Sequence, residues 1–233
     1  MEEIYSGLLR ALDLIAARDP QVVEITLRAI FISLSSAFLA GIICIPLGGI
    51  IEFRQFWGKR ALINLIQTFY SLPTVTVGLL VFLLISHSGP LGGLNLLFSP
   101  TGMIFGQAIL VSPIMIGLTI TALAGVSTPI RDTAKSLGAT EMQIIITVIK
   151  EARVAVMAAV LLGFGRALSE VGVAMMIGGN IRGYTRVLTT AIALETSMGN
   201  LELSMALGII LIFISLAINL LLNRFQGRKE WRS

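Results

Sequence analysis

The sequence predicts an all-α integral membrane protein with about five transmembrane helices. Hydrophobic residues make up 55% of the 233 positions and charged residues only 13%, whereas about a quarter of the residues are charged in ordinary soluble domains. Several apolar stretches also reach the roughly 20 residues that a helix needs to cross the hydrocarbon core. Segments rich in glycine, proline and serine lie between these stretches, where loops are expected.

The apolar stretches divide into five predicted spans. The first covers residues 29–51, which include no Asp, Glu, Lys or Arg. A second uncharged stretch, residues 61–130, is too long for one crossing, and the segment SHSGPLGGLNLLFSPTG divides it. It therefore predicts two helices, at about 61–86 and about 103–125. The fourth and fifth spans are predicted at about 153–178 and 203–223.

Residues 1–20 predict an amphipathic helix that lies on the membrane surface. Ile4, Leu8, Leu12 and Ile15 share one helical face, and charged residues recur on the remaining surface. The segment lacks the basic start of a secretory signal peptide, so we expect it neither to be cleaved nor to span. Residues 21–233 form the predicted transmembrane domain.

The distribution of basic residues predicts the orientation, because Lys and Arg are enriched in cytoplasmic loops. One side of the membrane receives five of the 17: Arg10, Arg18, Arg28, Arg182 and Arg186. The other receives eleven: Arg54, Lys59, Arg60, Arg131, Lys135, Lys150, Arg153, Arg224, Arg228, Lys229 and Arg232. The sequence thus predicts a multi-pass protein of the cell membrane with its N-terminus outside and its C-terminus in the cytoplasm.

Composition also excludes several functions. The net charge of +4 fits this topology and attraction to anionic lipid headgroups, and no basic cluster with interleaved aromatics indicates nucleic-acid binding. Cys44 is the only cysteine and can form no internal disulfide. His87, the only histidine, has no Cys, Asp or Glu beside it in sequence, so we predict no metal site and no cofactor.

The loop at residues 127–152 is polar but patterned. Thr128 and Pro129 suit an N-cap and a first helical position, and Gly138 suits a helix stop. Thr140 and Gln143 have the spacing of a capping box that begins a second, more apolar helix. The loop is predicted to be a helix, a glycine turn and a helix, which is either a lever for another protein or an ordinary interfacial hairpin.

The loop segment DTAKSLGATEMQIIITVIKEA resembles the coupling-loop signature of ABC importer permeases, E-A-A-x-x-x-G followed by I-x-L-P. Asp132 begins the E-A-A positions, Gly138 stands at the glycine and Val148 at the isoleucine, while Lys150 and Glu151 replace the Leu-Pro. The resemblance implies that the loop couples this chain to a separate ATPase. The implied coupling residues are Asp132, Thr133, Ala134, Gly138, Ala139, Thr140 and Val148.

The resemblance extends along nearly the whole chain, through IPLGGIIEF, SLPTVTVGLL and GRALSEVGVAMMIGGNIRGYTRVLTTAI. The last segment is similar to the molybdate, tungstate and sulfate importer permeases, and most similar to the tungstate branch. The resemblance implies a MetI-like permease fold and a homodimer that forms the pore. It further implies two copies of a cytoplasmic ATPase and an external oxyanion-binding protein. Molybdate or sulfate as the substrate remains an alternative.

No nucleotide-binding motif occurs in the chain. A P-loop requires G-x-x-x-x-G-K followed by Ser or Thr. The only Gly-Lys pair is Gly58-Lys59, with Phe53 at the position of the first glycine and Arg60 after the lysine. We therefore predict a pore-forming subunit and not an enzyme, with ATP hydrolysed by a partner.

Two opposite charges lie within the fourth predicted span. Arg166 and Glu170 are four residues apart, which puts them on one helical face, and ionisable residues at this depth face protein or a polar path. In one interpretation they line the translocation pathway with Ser169. In the other, which we favour, they neutralise each other and fix helix packing.

The segment GGNIRGYTRVLTTAIALETSMGN follows this span on the predicted outer side. Arg182 and Arg186 could form an outer gate that draws in an anion and docks a binding protein, or the segment could be a plain connecting helix. Two other classes compete with the importer. A self-contained secondary anion transporter would have inverted repeats, which the sequence does not display. A membrane enzyme would have a cluster of catalytic side chains, and the sequence has no cluster of histidines, cysteines or carboxylates.

Overall fold

A computed structural model describes residues 2–126 and 128–226 of the protein. Over these two ranges the chain is helical and contains no strand, which confirms the predicted fold class. The α-helices are α1 Glu2–Ala16, α2 Pro20–Phe53, α3 Lys59–Thr68, α4 Thr74–Ile85, α5 Pro100–Ala124, α6 Thr128–Ser136, α7 Glu141–Glu151, α8 Arg153–Leu168, α9 Gly172–Gly178, α10 Leu188–Ser197 and α11 Leu201–Gln226.

Three of these helices, α2, α5 and α11, are individually long and apolar enough to cross a membrane. Two pairs of shorter helices are long and apolar enough only when each pair is taken together. The axis bends by 101° between α3 and α4 and by 61° between α8 and α9. The described residues thus provide three spans, or up to five if each bent pair counts as one. The five predicted spans correspond to these elements, but the prediction of continuous helices at 61–86 and 153–178 was wrong.

The two breaks have different local causes. Pro73 has no N–H and disfavours a helical conformation in the residue before it, and Leu72 accordingly has an extended ψ of 133°. No proline lies between α8 and α9. There Glu170 accepts a hydrogen bond from the backbone N–H of Val173 at 3.1 Å, which satisfies a free donor in the first turn of α9.

The first long helix, α2, begins well before the predicted residue 29. Asp19 caps it, accepting hydrogen bonds from the N–H groups of Gln21 and Val22 at 2.9 and 3.1 Å. Glu24 and Arg28, which precede the predicted uncharged span, pair with each other one turn apart on α2. With 34 residues, α2 is about 51 Å long. It therefore extends beyond a hydrocarbon core of about 30 Å.

The central packing unit consists of α2, α5 and α8, which meet at glycines. A Cβ atom at Gly48 of α2 would lie 2.9 Å from the Thr119 side chain and 3.1 Å from the carbonyl oxygen of Ile116 on α5. A Cβ atom at Gly163 of α8 would lie 3.0 Å from the Met115 side chain. Small residues let these helices approach closely, as is usual in membranes.

The predicted N-terminal helix exists as α1, Glu2–Ala16, and packs on α11. Gly7 lies against Met205, Ala11 is fully buried, and Arg10 pairs with Glu202. The Leu8 side of the helix remains exposed, and the side chain of Ile4 lies outside the described residues. Attachment of this exposed apolar side to the membrane surface remains a prediction.

Candidate coupling site and transport path

The predicted helix–glycine–helix element is present as α6 and α7, called the coupling pair below. Gly138 has φ +78°, the left-handed conformation expected of a helix stop. Thr140 and Gln143 form the capping box: the Gln143 N–H donates to Thr140 Oγ1 at 3.4 Å, and the Thr140 N–H donates to Gln143 Oε1 at 2.8 Å. Helix α6 begins at Thr128, the residue predicted as its N-cap, and residue 127 lies outside the described residues.

The coupling pair exposes apolar side chains at its turn. Leu137 is 82% exposed, and Met142 and Ile146 are also exposed. Beside them is an open groove of about 440 Å³ lined by Ile130, Thr133, Ala134, Leu137, Ala139 and Thr147. Asp132 and Thr140 are exposed at the same surface. Apolar residues gathered on a polar surface indicate a protein contact.

Val148, by contrast, points inward. It is fully buried in a cluster with Leu123, Ala152 and Val156, which come from the end of α5 and the start of α8. It therefore attaches α7 to the spans and presents no surface to a partner. The remaining predicted coupling residues, Asp132 to Ala134 and Gly138 to Thr140, lie on the outer part of the pair.

Gly138 gives a direct test of this turn. A Cβ atom at Gly138 would contact nothing within 4 Å, so only its φ of +78° opposes a side chain. Gly138→Val should distort the turn at a cost of about 1–2 kcal/mol and reduce the activity of any protein that docks there. Gly138→Asn is the matched control, because asparagine accepts the left-handed conformation. Equal activity of the two variants would contradict the prediction.

Arg166 and Glu170 form an ion pair across the break between α8 and α9, with 2.8 Å between Arg166 Nη1 and Glu170 Oε2. Because α8 ends at Leu168, the pair does not share one continuous helix as predicted. Glu170 is 2% exposed, and its other oxygen receives the Val173 N–H. Thr189 Oγ1 also donates to the Glu170 carbonyl at 2.7 Å. These contacts favour the packing role over the pathway role.

Arg166 and Ser169 are more accessible than Glu170. The Arg166 side chain is 34% exposed, and Ser169 is exposed at the C-cap of α8. The arginine is therefore held by a buried carboxylate while part of its guanidinium reaches the molecular surface. This arrangement leaves the pathway role of both residues as a prediction.

The two breaks lie next to each other, which the sequence did not indicate. A Cβ atom at Gly172, the first residue of α9, would lie 2.9 Å from Thr74 Oγ1 and 3.1 Å from the backbone nitrogen of Val75 at the start of α4. Gly78 of α4 in turn lies close to Val173. The second helices of the two interrupted spans, α4 and α9, therefore pack together through glycines.

The chain around Pro73 carries polar side chains that are exposed within a membrane crossing. We call residues 67–76 the Pro73 segment, and its exposed polar residues are Gln67, Thr68, Tyr70, Ser71 and Thr76. Irregular backbone at membrane depth is tolerated only where protein or a water-filled cavity covers it. The Pro73 segment is therefore expected to face a polar path or another subunit. Pro73 was the sequence signal that could have revealed it.

The predicted outer gate is a loop held by buried polar contacts. Arg186 Nη1 lies 3.3 Å from Glu195 Oε1, and both side chains are largely buried. Arg28 of α2 donates to the carbonyls of Gly183 and Arg186 at 2.9 and 3.3 Å. Arg182 remains exposed and donates to Gln21 Oε1 at 2.9 Å. Of the two predicted gate arginines, only Arg182 is thus accessible from the surface.

Comparison with known proteins identifies the family. The family model of the binding-protein-dependent transport system inner membrane component matches residues 44–230. The chain belongs to this family. Its all-helical fold and interrupted spans are therefore those of an ABC transporter permease, a multi-pass membrane protein.

Permeases of this family with named substrates match most of the chain. The tungstate uptake permease TupB of Peptoclostridium acidaminophilum is 40% identical over 97% of this chain and 99% of its own length. TupB of Campylobacter jejuni is 37% identical over 97% of this chain and 95% of its own length. The molybdenum transport permease ModB of Escherichia coli is 27% identical over 86% of this chain and 93% of its own length.

A solved permease has the same fold. The bacterial alginate ABC transporter, crystallised with an alginate-bound periplasmic protein, aligns with a TM-score of 0.70 at 17% identity. The alignment covers 98% of this chain and 88% of that one. At this level of identity the likeness concerns the fold alone. The predicted family and permease architecture are confirmed, whereas the roles assigned to individual residues stay predictions.

Proposed function

We propose that this chain is the membrane subunit of an ATP-driven importer of tungstate. Two copies would form the translocation path, a separate pair of ATPase subunits would dock on the cytoplasmic side, and an external binding protein would deliver the oxyanion. The observation that carries the proposal is the 40% identity to a tungstate uptake permease over nearly the full length of both chains. Identity to the molybdenum permease is lower, at 27%.

The coupling pair supports the docking of a separate ATPase. Its turn exposes Leu137 beside an open groove, and α7 exposes Met142 and Ile146. Val148 attaches the inner side of the pair to the spans. A partner that binds the exposed apolar side chains can therefore move elements inside the membrane. The chain carries no P-loop, so the energy of ATP must enter through such a contact.

The two adjacent breaks support a translocation path along their exposed side. The exposed hydroxyls of Ser71 and Thr76 lie on one interrupted span, and Ser169 with part of Arg166 lies on the other. Hydroxyls can donate hydrogen bonds to an oxyanion, and a half-neutralised arginine adds weak positive potential. Weak contacts of this kind guide an anion without retaining it.

A second copy of the chain would cover the other side of the path. The Pro73 segment is almost entirely exposed in one protomer, and lipid cannot satisfy its irregular backbone. A homodimer places two such segments around one axis, so each protomer supplies half of a polar lining. Closed symmetric dimers are also the most frequent oligomers.

The loop at residues 179–187 lies near the start of α2, whereas the coupling pair lies near its end. The loop fits a docking surface for the binding protein. Ile181, Arg182 and Tyr184 are exposed there, on a loop that Arg28 and Glu195 hold in place. A loop with aromatic, apolar and cationic side chains has the composition of a binding hot spot.

The decisive experiment is transport by the purified complex. The chain is co-purified with its ATPase, reconstituted in liposomes with the associated binding protein, and tested with tungstate, molybdate and sulfate at equal concentrations. The proposal expects ATP-dependent tungstate uptake that excess molybdate and sulfate inhibit weakly. Preferred molybdate or sulfate uptake would correct the substrate, and uptake without ATP hydrolysis would refute the importer.

The orientation is tested by cysteine labelling in intact cells. The only native cysteine, Cys44, is buried, so new surface cysteines can be followed on their own. A membrane-impermeant maleimide should label Tyr184→Cys in intact cells and Ser136→Cys only after permeabilisation. Both native side chains are exposed, at opposite ends of the molecule. The reverse pattern would place the coupling pair outside and contradict docking of a cytoplasmic ATPase.

A further inference from the structure

One carboxylate joins the coupling pair to two spans. Glu52, at the end of α2, has Lys59 Nζ 3.3 Å from its Oε2 and Arg131 Nη2 3.5 Å from its Oε1. Lys59 is the first residue of α3, and Arg131 lies on α6 of the coupling pair. We call Glu52, Lys59 and Arg131 the Glu52 junction. None of the three was predicted as a functional residue from the sequence.

Additional contacts fix the orientation of Arg131. Its Nη2 donates to the carbonyl of Leu123, near the end of α5, at 3.0 Å. Its guanidinium carbon lies 4.6 Å from the centre of the Phe53 ring at the end of α2. A planar, forked guanidinium can make these contacts together, whereas a lysine ammonium could retain only the charge. Arg131 thus ties α6 to both α2 and α5.

Lys59 connects the same carboxylate to the broken span. Its Nζ also donates to the backbone carbonyl of Glu52 at 2.6 Å. A cation at this position stabilises the C-terminal end of α2 through the helix dipole. From Lys59, α3 runs for 10 residues to the turn before Pro73. The turn itself lies on α5, since Tyr70 fills the space that a side chain at Gly117 would need. A displacement of α6 therefore reaches the Pro73 segment through one short helix.

We propose that the Glu52 junction transmits movement of the coupling pair to α3 and the Pro73 segment, with Arg131 as the positioning residue. The inference rests on the proposed function, because it requires an ATPase that moves the coupling pair. Val148 and its apolar neighbours anchor α7 to the spans, whereas the junction connects α6 to the interrupted span. Loss of the junction should leave the ATPase bound but lower the amount of oxyanion transported for each ATP hydrolysed.

The test measures oxyanion molecules transported per ATP hydrolysed by the reconstituted complex of permease, ATPase and binding protein. Arg131→Gln and Glu52→Gln should each lower this ratio about fivefold or more, the lower end of ordinary coupling effects. Arg131→Lys should give an intermediate ratio. The double variant should be no worse than the more severe single one, because both singles break the same contact.

Arg60→Gln is the matched control. Arg60 follows Lys59 directly and is exposed, and among the described residues it forms no ion pair. Its removal should leave the ratio at the wild-type value. The ratio is independent of the amount of folded complex, and thermal unfolding of each variant in detergent reports separately on stability.

Two results would overturn the inference while the proposed function stands. The first is a wild-type ratio in both Arg131→Gln and Glu52→Gln. The second is loss of ATPase binding in these variants, because Arg131 would then be a docking residue. Failure of the wild-type complex to take up oxyanion with ATP would instead refute the proposed function, and the inference with it. The wild-type measurement therefore separates the two failures.

Discussion

Replacing Leu137 with aspartate should abolish ATP-driven uptake while leaving this subunit folded. The side chain is 82% exposed, so its replacement removes little internal packing. In the assembled transporter the leucine would be buried, which contributes about 1.5–3 kcal/mol. An aspartate would add the cost of an unpaired buried charge. We expect the affinity of the permease for its ATPase to fall about a hundredfold or more, since 1.4 kcal/mol corresponds to a factor of ten, and the amount of ATPase that co-purifies with the permease to fall with it.

Leu137→Met is the matched control, because methionine keeps the volume and apolar character of the side chain. It should retain both ATPase binding and uptake. Normal association of the Leu137→Asp subunit with its ATPase would show that the turn of the coupling pair is not the docking surface. The thermal unfolding of both purified subunits should match that of the wild type.

Removing Glu170 should cause the largest loss of stability. The carboxylate is 2% exposed, pairs with Arg166 and accepts the Val173 N–H. Glu170→Ala would leave the partly buried arginine unpaired and the first turn of α9 without its acceptor. Breaking a fully buried pair from one side typically costs about 3–5 kcal/mol. Because Arg166 is 34% exposed, we expect a loss at or below the lower end of this range. Thermal unfolding of the purified protein in detergent is the measurement.

The double variant Arg166→Leu/Glu170→Leu distinguishes the two roles of the pair. If the pair fixes packing, the double variant should be more stable than the sum of the single losses predicts, and folded protein should retain transport. If Arg166 instead lines the path, the folded double variant should lose tungstate uptake. Strictly additive stability losses would contradict the packing role.

The sequence was sufficient for the features that depend on local chemistry. Apolar length located the three long apolar helices and the two bent helix pairs. Gly138 with the Thr140–Gln143 box predicted the coupling pair to within a residue or two of its observed limits. These signals are local, because a capping box or a left-handed turn needs only neighbours in the chain. Resemblance then supplied the family, which composition alone could not.

Features that depend on tertiary contacts were missed. The break at Glu170 was assigned to a continuous helix because the apolar pattern continues from residue 153 to residue 178. The buried pair of Arg186 and Glu195, and the junction of Glu52 with Arg131, join residues whose proximity no sequence period encodes. Pro73 was visible, but a proline inside an apolar stretch can kink a helix or interrupt it.

The contact between Gly48 and Thr119 has a mechanical consequence. A Cβ atom at Gly48 would lie only 2.9 Å from the Thr119 side chain, so α2 and α5 leave no room for a larger residue at this crossing. Sliding one past the other would require atoms to overlap, and interiors packed this closely deform little. We therefore expect α2 and α5 to move together as one unit during the transport cycle, without sliding against each other. The shape changes that open and close the molecule would then occur between this unit and the shorter, interrupted helices.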